Sequence, residues 1–336
     1  MSRQVVLPGL DAGSYKPHML HAENRIWVEK NCYIDIVIEL VHALDLEPLA
    51  AMGFCAAVDF EGDCFTFFKP PHDELRELFG LDIQELNVWR PLLEHSIWHL
   101  GAGKLISTEA DAFHLPDTSA TDYRRNHVKT TIILADLDVE QRRLGYFHNA
   151  GFYTLEGDDF ESLFRLSAAP DPAFMPLFAE LVRVDRLRRL PAGELAEMAR
   201  LLLAKHVSRR PAVNPLTKFH RRFQDDLGVI QREGLNYYHT WAFATIRQMG
   251  AAFESLSLHL RWLMRAGAGE GFGPAAEAFE RLSLTAKAFI LKAARVVNSR
   301  RPFDASSVFD EMSGAWYDGM TTLAEQLGLP ARASST

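Results

Sequence analysis

Three cysteines stand in a chain of 336 residues, and the first of them, Cys32, opens the apolar stretch "NCYIDIVIELVHALDL". A thiol at a helix start sits where unpaired backbone N–H groups and the helix dipole favour the anion, the form that attacks carbonyl carbon. Such a nucleophile needs an imidazole to take its proton and hand it to a leaving group. It also needs a third polar side chain to orient that imidazole. His127 follows the polar loop "HLPDTSATDYRRN" and opens the strand-like run "HVKTTIILADL"; Asn149 ends the next run, "RLGYFHN". The order Cys32, His127, Asn149 therefore supplies a nucleophile, a general base and acid, and an orienting group. Each residue also has a plain structural reading. Cys32 can be a packing residue, His127 a strand start, and Asn149 a turn residue before Gly151, with His148 beside it as the alternative functional group. Cys55 and Cys64 read as buried packing positions.

The elements that must carry these residues follow from periodicity. Ile34, Val37, Ile38, Val41 and Leu44 recur at helical spacing, with Asp35, Glu39 and His42 on the opposite face. "PLAAMGFCAA" reads as a second short helix and "VDFEGDCFTFFKPP" as a hairpin around Glu61-Gly62-Asp63. "HDELRELFG" and "RPLLEHSIWHLGAG" are short helices, each closed by glycine. Strands are expected at "KLISTEADAF" (104–113), at 127–137, at 143–149 and in "GFYTLEG". After the proline-rich "SAAPDPAF", every apolar stretch from "PLFAELVRVDRLRR" to "DEMSGAWYDGMTTLAEQLG" reads as helix, with Pro and Gly between most of them. The expected architecture is α+β: a first domain over residues 1–168 and an all-helical domain over 172–330.

Composition narrows the setting. The chain is 48% hydrophobic and 24% charged, an ordinary globular balance with a sizeable core available. No apolar run approaches the roughly 18 residues of a membrane span, the N-terminus lacks the pattern of a signal peptide, and three unpaired-looking cysteines argue against a disulfide framework. A cytoplasmic protein with no membrane association is expected. Residues 1–170 carry 14 Lys+Arg against 27 Asp+Glu, net −13, which leaves 22 against 17, net +5, for residues 171–336. The basic clusters "RVDRLRRL", "KFHRRF" and "SRRP" suit an acidic protein partner. Overall acidity and the lack of any nucleic-acid motif argue against a nucleic-acid partner.

Other groups suggest less. Asp111, Asp117, Asp122, His114 and His127 crowd one loop, but no HExxH, CxxC or His-x-His spacing marks a metal site, and none is expected. Tyr123, Arg124 and Arg125 beside His127 could receive an anionic group such as a phosphate. Glycine-rich "RAGAGEGFGPA" has no following Lys-Ser/Thr and reads as a loop. Tyr237, Tyr238, Trp241 and Phe243 read as core, with an acyl pocket as the alternative.

The Cys–His–Asn order is that of papain-like proteins. Residues 31–165, through "NCYIDIVIELVHAL", "AVDFEGDCFTFFKPP", "LDIQELNVWRPLLEH", "DAFHLPDTSATDYRRNH" and "GYFHNAGFYTLEGDDF", resemble a bacterial family known as domain of unknown function 1839. The layout is more distantly similar to the butirosin-pathway acyltransferases, in which a papain-like domain precedes a helical one. On that resemblance Cys32, the stretch Asp111 to Pro116, His127 and Asn149 match the motif positions. The resemblance implies transfer of an acyl or aminoacyl group from the phosphopantetheine thioester of a carrier protein, through an acyl-cysteine, to an amine acceptor, with no bound cofactor. Papain proteases place a glutamine shortly before the cysteine, whereas "AENRIWVEKN" contains none. The Cys32 amide with Asn31 or Asn24 would have to bind the oxyanion, and Asp111, Tyr123 and Arg124 are further candidate substrate contacts. An amide or peptide hydrolase with the same triad, a metal hydrolase using Asp111 and His114, and a non-catalytic binding or scaffold protein are the competing readings.

Overall fold

The structure, a computed structural model, describes residues 3–168 and 175–330. Its architecture is mixed α+β, with seven antiparallel strands in one sheet and a helical C-terminal region. Strands β1 (Gln4–Val5), β2 (Asp82–Glu85), β3 (Lys104–Asp111), β4 (Lys129–Asp138), β5 (Arg143–His148), β6 (Gly151–Glu156) and β7 (Ala179–Arg183) run in the order β2-β7-β3-β4-β5-β6. β1 pairs with β4 beyond the end of β3.

Four helices flank this sheet in sequence: α1 (Cys32–Ala43), α2 (His72–Phe79), α3 (Leu92–Gly101) and α4 (Asp158–Leu163). Because side chains alternate along a strand, β4 serves two faces. Thr131 points to the face carrying α1, where it meets Cys32. Ile132 and Leu134 point the other way, into a core of Leu100 from α3, Phe160 from α4, Leu115, Tyr146 and Leu155. Gly80 closes α2 at φ +70, and a Cβ there would overlap the Arg186 carbonyl oxygen.

Two expectations are corrected. "PLFAELVRVDRLRR" is not a helix: β7 runs through it as an interior strand between β2 and β3. Ala179, Glu180, Leu181 and Val182 are all buried, so the alternation that marks a strand is missing, and a short continuous apolar run has no readable period. On the polar side of α1, Asp35 and Glu39 are both fully buried. Between them lies His21, with Nε2 2.9 Å from Asp35 Oδ1 and Nδ1 bonded to Glu39. The hairpin expected around Gly62 reduces to a single bridge between Phe60 and Phe65.

The chain divides into two compact units, each assembled from several stretches. The first contains Met1–Ala22, Asn31–Glu47 and His72–Arg189; the second contains Glu23–Lys30, Pro48–Pro71 and Leu190–Thr336. A single boundary near residue 170 does not capture this interleaving. The second unit contains α5 (Ala192–Ser208), α6 (Pro215–Glu233), α7 (Leu235–Ala242), α8 (Gln248–Arg265), α9 (Gly273–Ser299) and α10 (Ser306–Gln326); α5 and α8 pack against a 3-10 helix over Pro48–Ala57, and the unit holds an aromatic core. Phe60, Phe65, Phe219, Phe223, Trp241 and Phe309 make up much of that core, and Tyr238 is buried beside Trp241. Tyr237 and Phe243 are exposed. Buried Glu254 on α8 accepts the amides of Ile26 and Trp27 at 2.8 and 2.9 Å, which ties the 23–30 segment into this unit.

Candidate active site

Asn31 starts α1. Its backbone is extended and its Oδ1 accepts the amides of Tyr33 and Ile34 at 3.2 and 3.0 Å, satisfying two of the helix's open N–H groups. The cap makes Cys32 the first helical residue, half-buried, with Sγ 3.6 Å from Thr131 Oγ1 on β4. Among the described residues no protein acceptor engages the Cys32 amide. Of the two asparagines expected to serve an oxyanion, Asn31 is 2% exposed with its carbonyl committed to the cap, and Asn24 is exposed in the 23–30 segment of the helical unit.

His127 lies two residues before β4 begins. Its Nδ1 is 2.6 Å from Asp111 Oδ2, and its ring stacks on Phe113 with centroids 4.4 Å apart. Asp111 ends β3 opposite Lys129, and its Oδ1 also accepts the Phe113 amide at 3.1 Å. Burial works to raise the Asp111 pKa, but the hydrogen bonds from His127 and Phe113 outweigh it and hold the carboxyl below its usual range. The His127 side chain is 70% exposed, so an arriving molecule can reach the imidazole.

Asn149 is placed differently from its expected role. It occupies the turn between β5 and β6 with φ 43, a left-handed conformation that asparagine tolerates, and it is Asp111 that holds His127. His148 points to the other face of the sheet. There its Nδ1 is 2.6 Å from Asp117 Oδ2 and its Nε2 is 2.8 Å from Thr130 Oγ1, with Tyr146 bonded to the second Asp117 oxygen. That buried line of side chains lies across the sheet from Cys32.

Cys32 and His127 approach the same strand without touching. Thr131 lies against the thiol, and the four residues back to His127 span about 13 Å of extended chain. Lys129, between them, pairs with Glu109 at 3.2 Å. Tyr123 donates its hydroxyl to Asp159 at 2.8 Å and Arg124 bonds the other Asp159 oxygen, so both expected contacts are anchored on one carboxylate. Among the described residues no group of three or more His, Cys, Asp or Glu side chains is arranged to hold a metal ion.

One cluster escaped sequence reasoning. Buried Glu180 on β7 accepts the Tyr33 hydroxyl at 2.8 Å and the Ser107 hydroxyl at 3.2 Å, and His72 Nε2 lies 2.7 Å from the Tyr33 hydroxyl. Burial first, and then the Glu180 charge, push the Tyr33 phenol well above its usual pKa, so it stays protonated as a donor. The four residues come from α1, α2, β3 and β7, and no sequence spacing links them. The one available signal was a glutamate inside an apolar run, since a charge there must be paired.

No curated protein matches the chain. Among the described residues no helix is long and apolar enough to cross a membrane. A family model for the DUF1839 N-terminal domain matches residues 16–184, ending just past β7, and one for the DUF1839 C-terminal domain matches residues 192–325, the helices α5 to α10. Matched through both parts of its length, the chain belongs to the DUF1839 family.

Proposed function

We propose that this protein is a cysteine-dependent acyl or aminoacyl transferase whose sheet and α1 form a papain-like half. Cys32 is the nucleophile, His127 the base and acid, and Asp111 the group that orients the imidazole. The observation that carries this reading is the placement of a capped-helix thiol and an imidazole–carboxylate pair along β4, with the carboxylate on Nδ1 and the imidazole largely exposed. Resemblance to the butirosin-pathway enzymes supplies the donor, a carrier-protein phosphopantetheine thioester, and the basic clusters of the chain suit the acidic surface such carriers present.

In the first half-reaction the Cys32 sulfur forms a bond to the thioester carbonyl carbon, and the C–S bond to phosphopantetheine breaks. The Cys32 proton passes through His127 to the departing thiol. In the second, the acceptor amine attacks the acyl-cysteine, gives its proton to His127, and expels the Cys32 sulfur, which is reprotonated. The tetrahedral oxyanion of each step is met by the unengaged Cys32 amide. The gap between thiol and imidazole is where the thioester lies, since catalytic contacts are often long before substrate arrives.

The exposure of His127 favours a second reading, an amide hydrolase in which water replaces the amine. The test is intact-mass analysis of the protein after brief mixing with acyl- or aminoacyl-loaded carrier protein and an acid quench. A covalent acyl adduct that maps to Cys32 and vanishes in Cys32→Ala is expected. Discharge to an added amine, faster than to water, separates transfer from hydrolysis. Loaded carriers that leave no adduct and are not discharged would overturn the reading.

A further inference from the structure

Beside His127 the sheet unit carries a cleft of about 550 Å³, within the size range of small-molecule sites. The loop between β3 and β4 lines it with His114 and Arg124; α4 and the turn after it add Asp158, Glu161, Ser162 and Arg165. We propose that this cleft binds a small zwitterion of the amino-acid class, holding its carboxylate on the arginines and its ammonium on Asp158 and Glu161.

The charge arrangement selects that chemistry. Two guanidiniums and two carboxylates line the cleft together, so a lone anion meets the carboxylates and a lone cation meets the arginines. A molecule bearing both charges satisfies both sides. Arg124 is built into place: its guanidinium is bonded to Asp159, lies over the Tyr123 ring and takes a left-handed backbone with φ 56. Asp159 and the Tyr123 hydroxyl take part of its donor fork, which fixes where the guanidinium sits. The Asp158 side chain makes no hydrogen bond among the described residues and lies within electrostatic reach of Arg124, whereas Glu161 is steadied by Arg142 and, at 3.0 Å, by Ser167.

A second observation points to an occupant. His114 Nδ1 is buried and makes no hydrogen bond, an arrangement that is costly unless something else fills it. Burial, outweighing the nearby Asp111 charge, lowers the His114 pKa, so at neutral pH the ring is uncharged and can serve an amino-acid amine or hydroxyl. The His114 and His127 ring centroids are 6.5 Å apart, which sets the cleft next to the proposed base. Taken with the transferase reading, on which this last step alone rests, the occupant is the amine acceptor itself.

The experiment is calorimetric titration of the full chain with glycine and L-serine, beside N-acetyl-L-serine and L-serinamide, each of which lacks one charge. Free serine should bind at least about tenfold more tightly than either blocked form, the loss expected for one charge-assisted hydrogen bond. Arg124→Gln should abolish the discrimination against serinamide. Ser162→Phe, which fills the cleft and keeps every charge, should abolish binding while the melting temperature reports intact folding. Equal binding of free and blocked forms, no binding of any probe at millimolar concentration, or undiminished binding in both variants would overturn the proposal. Cys32→Ala should bind serine as the parent does. Serine binding in a protein that forms no acyl-cysteine would leave this site standing while the transferase reading falls.

Discussion

His127 Nδ1 lies 2.6 Å from Asp111 Oδ2 although sixteen residues separate them in the chain. The reason is register: Asp111 ends β3 opposite Lys129, the first residue of β4, so the intervening loop returns His127 to the same sheet end. An imidazole held at Nδ1 by a carboxylate has a fixed tautomer and an Nε2 ready to exchange protons.

Asp111→Asn keeps the shape but favours the wrong tautomer, and it should slow acyl-enzyme formation by about 10²–10⁴-fold. Asn149→Gly, which suits the left-handed turn, should leave that rate nearly unchanged. Single-turnover mixing with a loaded carrier protein measures both. A large loss in Asn149→Gly with none in Asp111→Asn would return the orienting role to Asn149.

The three thiols should separate under limited iodoacetamide. Cys55 is fully buried and burial raises its pKa far above the usual thiol value; Cys64 is raised by burial and then by its hydrogen bond to Asp63. Cys32 is half-buried at a helix start, so peptide mapping should find it alkylated first and Cys55 last. Alkylation of Cys64 ahead of Cys32 would remove the case for an activated thiol.

Much of the sheet was legible because β3 to β6 are regular enough for strand propensity and turn residues to mark them, and α1 because its apolar period is strict. β7 was not, since a strand buried on both faces has no alternation, and β1 and β2 are too short to carry a pattern. At the candidate site, Cys32 and His127 were singled out from residue chemistry and order. Their actual neighbours, Thr131 and Asp111, depend on strand register, which sequence spacing does not encode. The burial of Asp35 and Glu39 was not legible, because the segment that covers them, with Tyr15, His18 and His21, lies upstream and has no periodic signal of its own.

That covered cluster makes a stability prediction. The Glu39 carboxylate is fully buried and accepts the Tyr15 hydroxyl at 2.5 Å, the His18 amide at 3.0 Å and the His21 ring. Glu39→Ala strands those donors in a dry environment and should cost about 3–5 kcal/mol, the usual penalty for breaking a buried charged group's contacts from one side. Glu39→Gln should cost less, because it keeps an acceptor. Urea unfolding of the three proteins tests this, and a Glu39→Ala midpoint equal to the parent's would show that the N-terminal segment is not held by this carboxylate.

The helical unit holds a pH-dependent element of its own. His259 on α8 is completely buried; its Nδ1 is 2.7 Å from the Leu49 carbonyl oxygen and its Nε2 has no partner and faces Gly53. With Nδ1 donating to Leu49, Nε2 is a bare lone pair, and protonating it would place a charged N–H against a glycine with no acceptor. Burial accordingly lowers the pKa from 6.5 to about 4, only partly opposed by the Leu49 bond. The folded state thus binds this proton less readily than the unfolded chain. The residue costs nothing above pH 6.5, where both states are neutral, and destabilises progressively as pH falls from 6.5 to about 4. The full effect is about 3 kcal/mol. His259→Leu removes the titration and sacrifices the Leu49 bond, so it should be less stable than the parent near neutrality. Across the same window its deficit should shrink by about 3 kcal/mol, because other titrating groups contribute alike to both proteins and cancel in the difference. Denaturant midpoints of the two proteins at several pH values give that difference directly. A gap that stays constant through the window would mean that the buried imidazole takes up its proton at no cost.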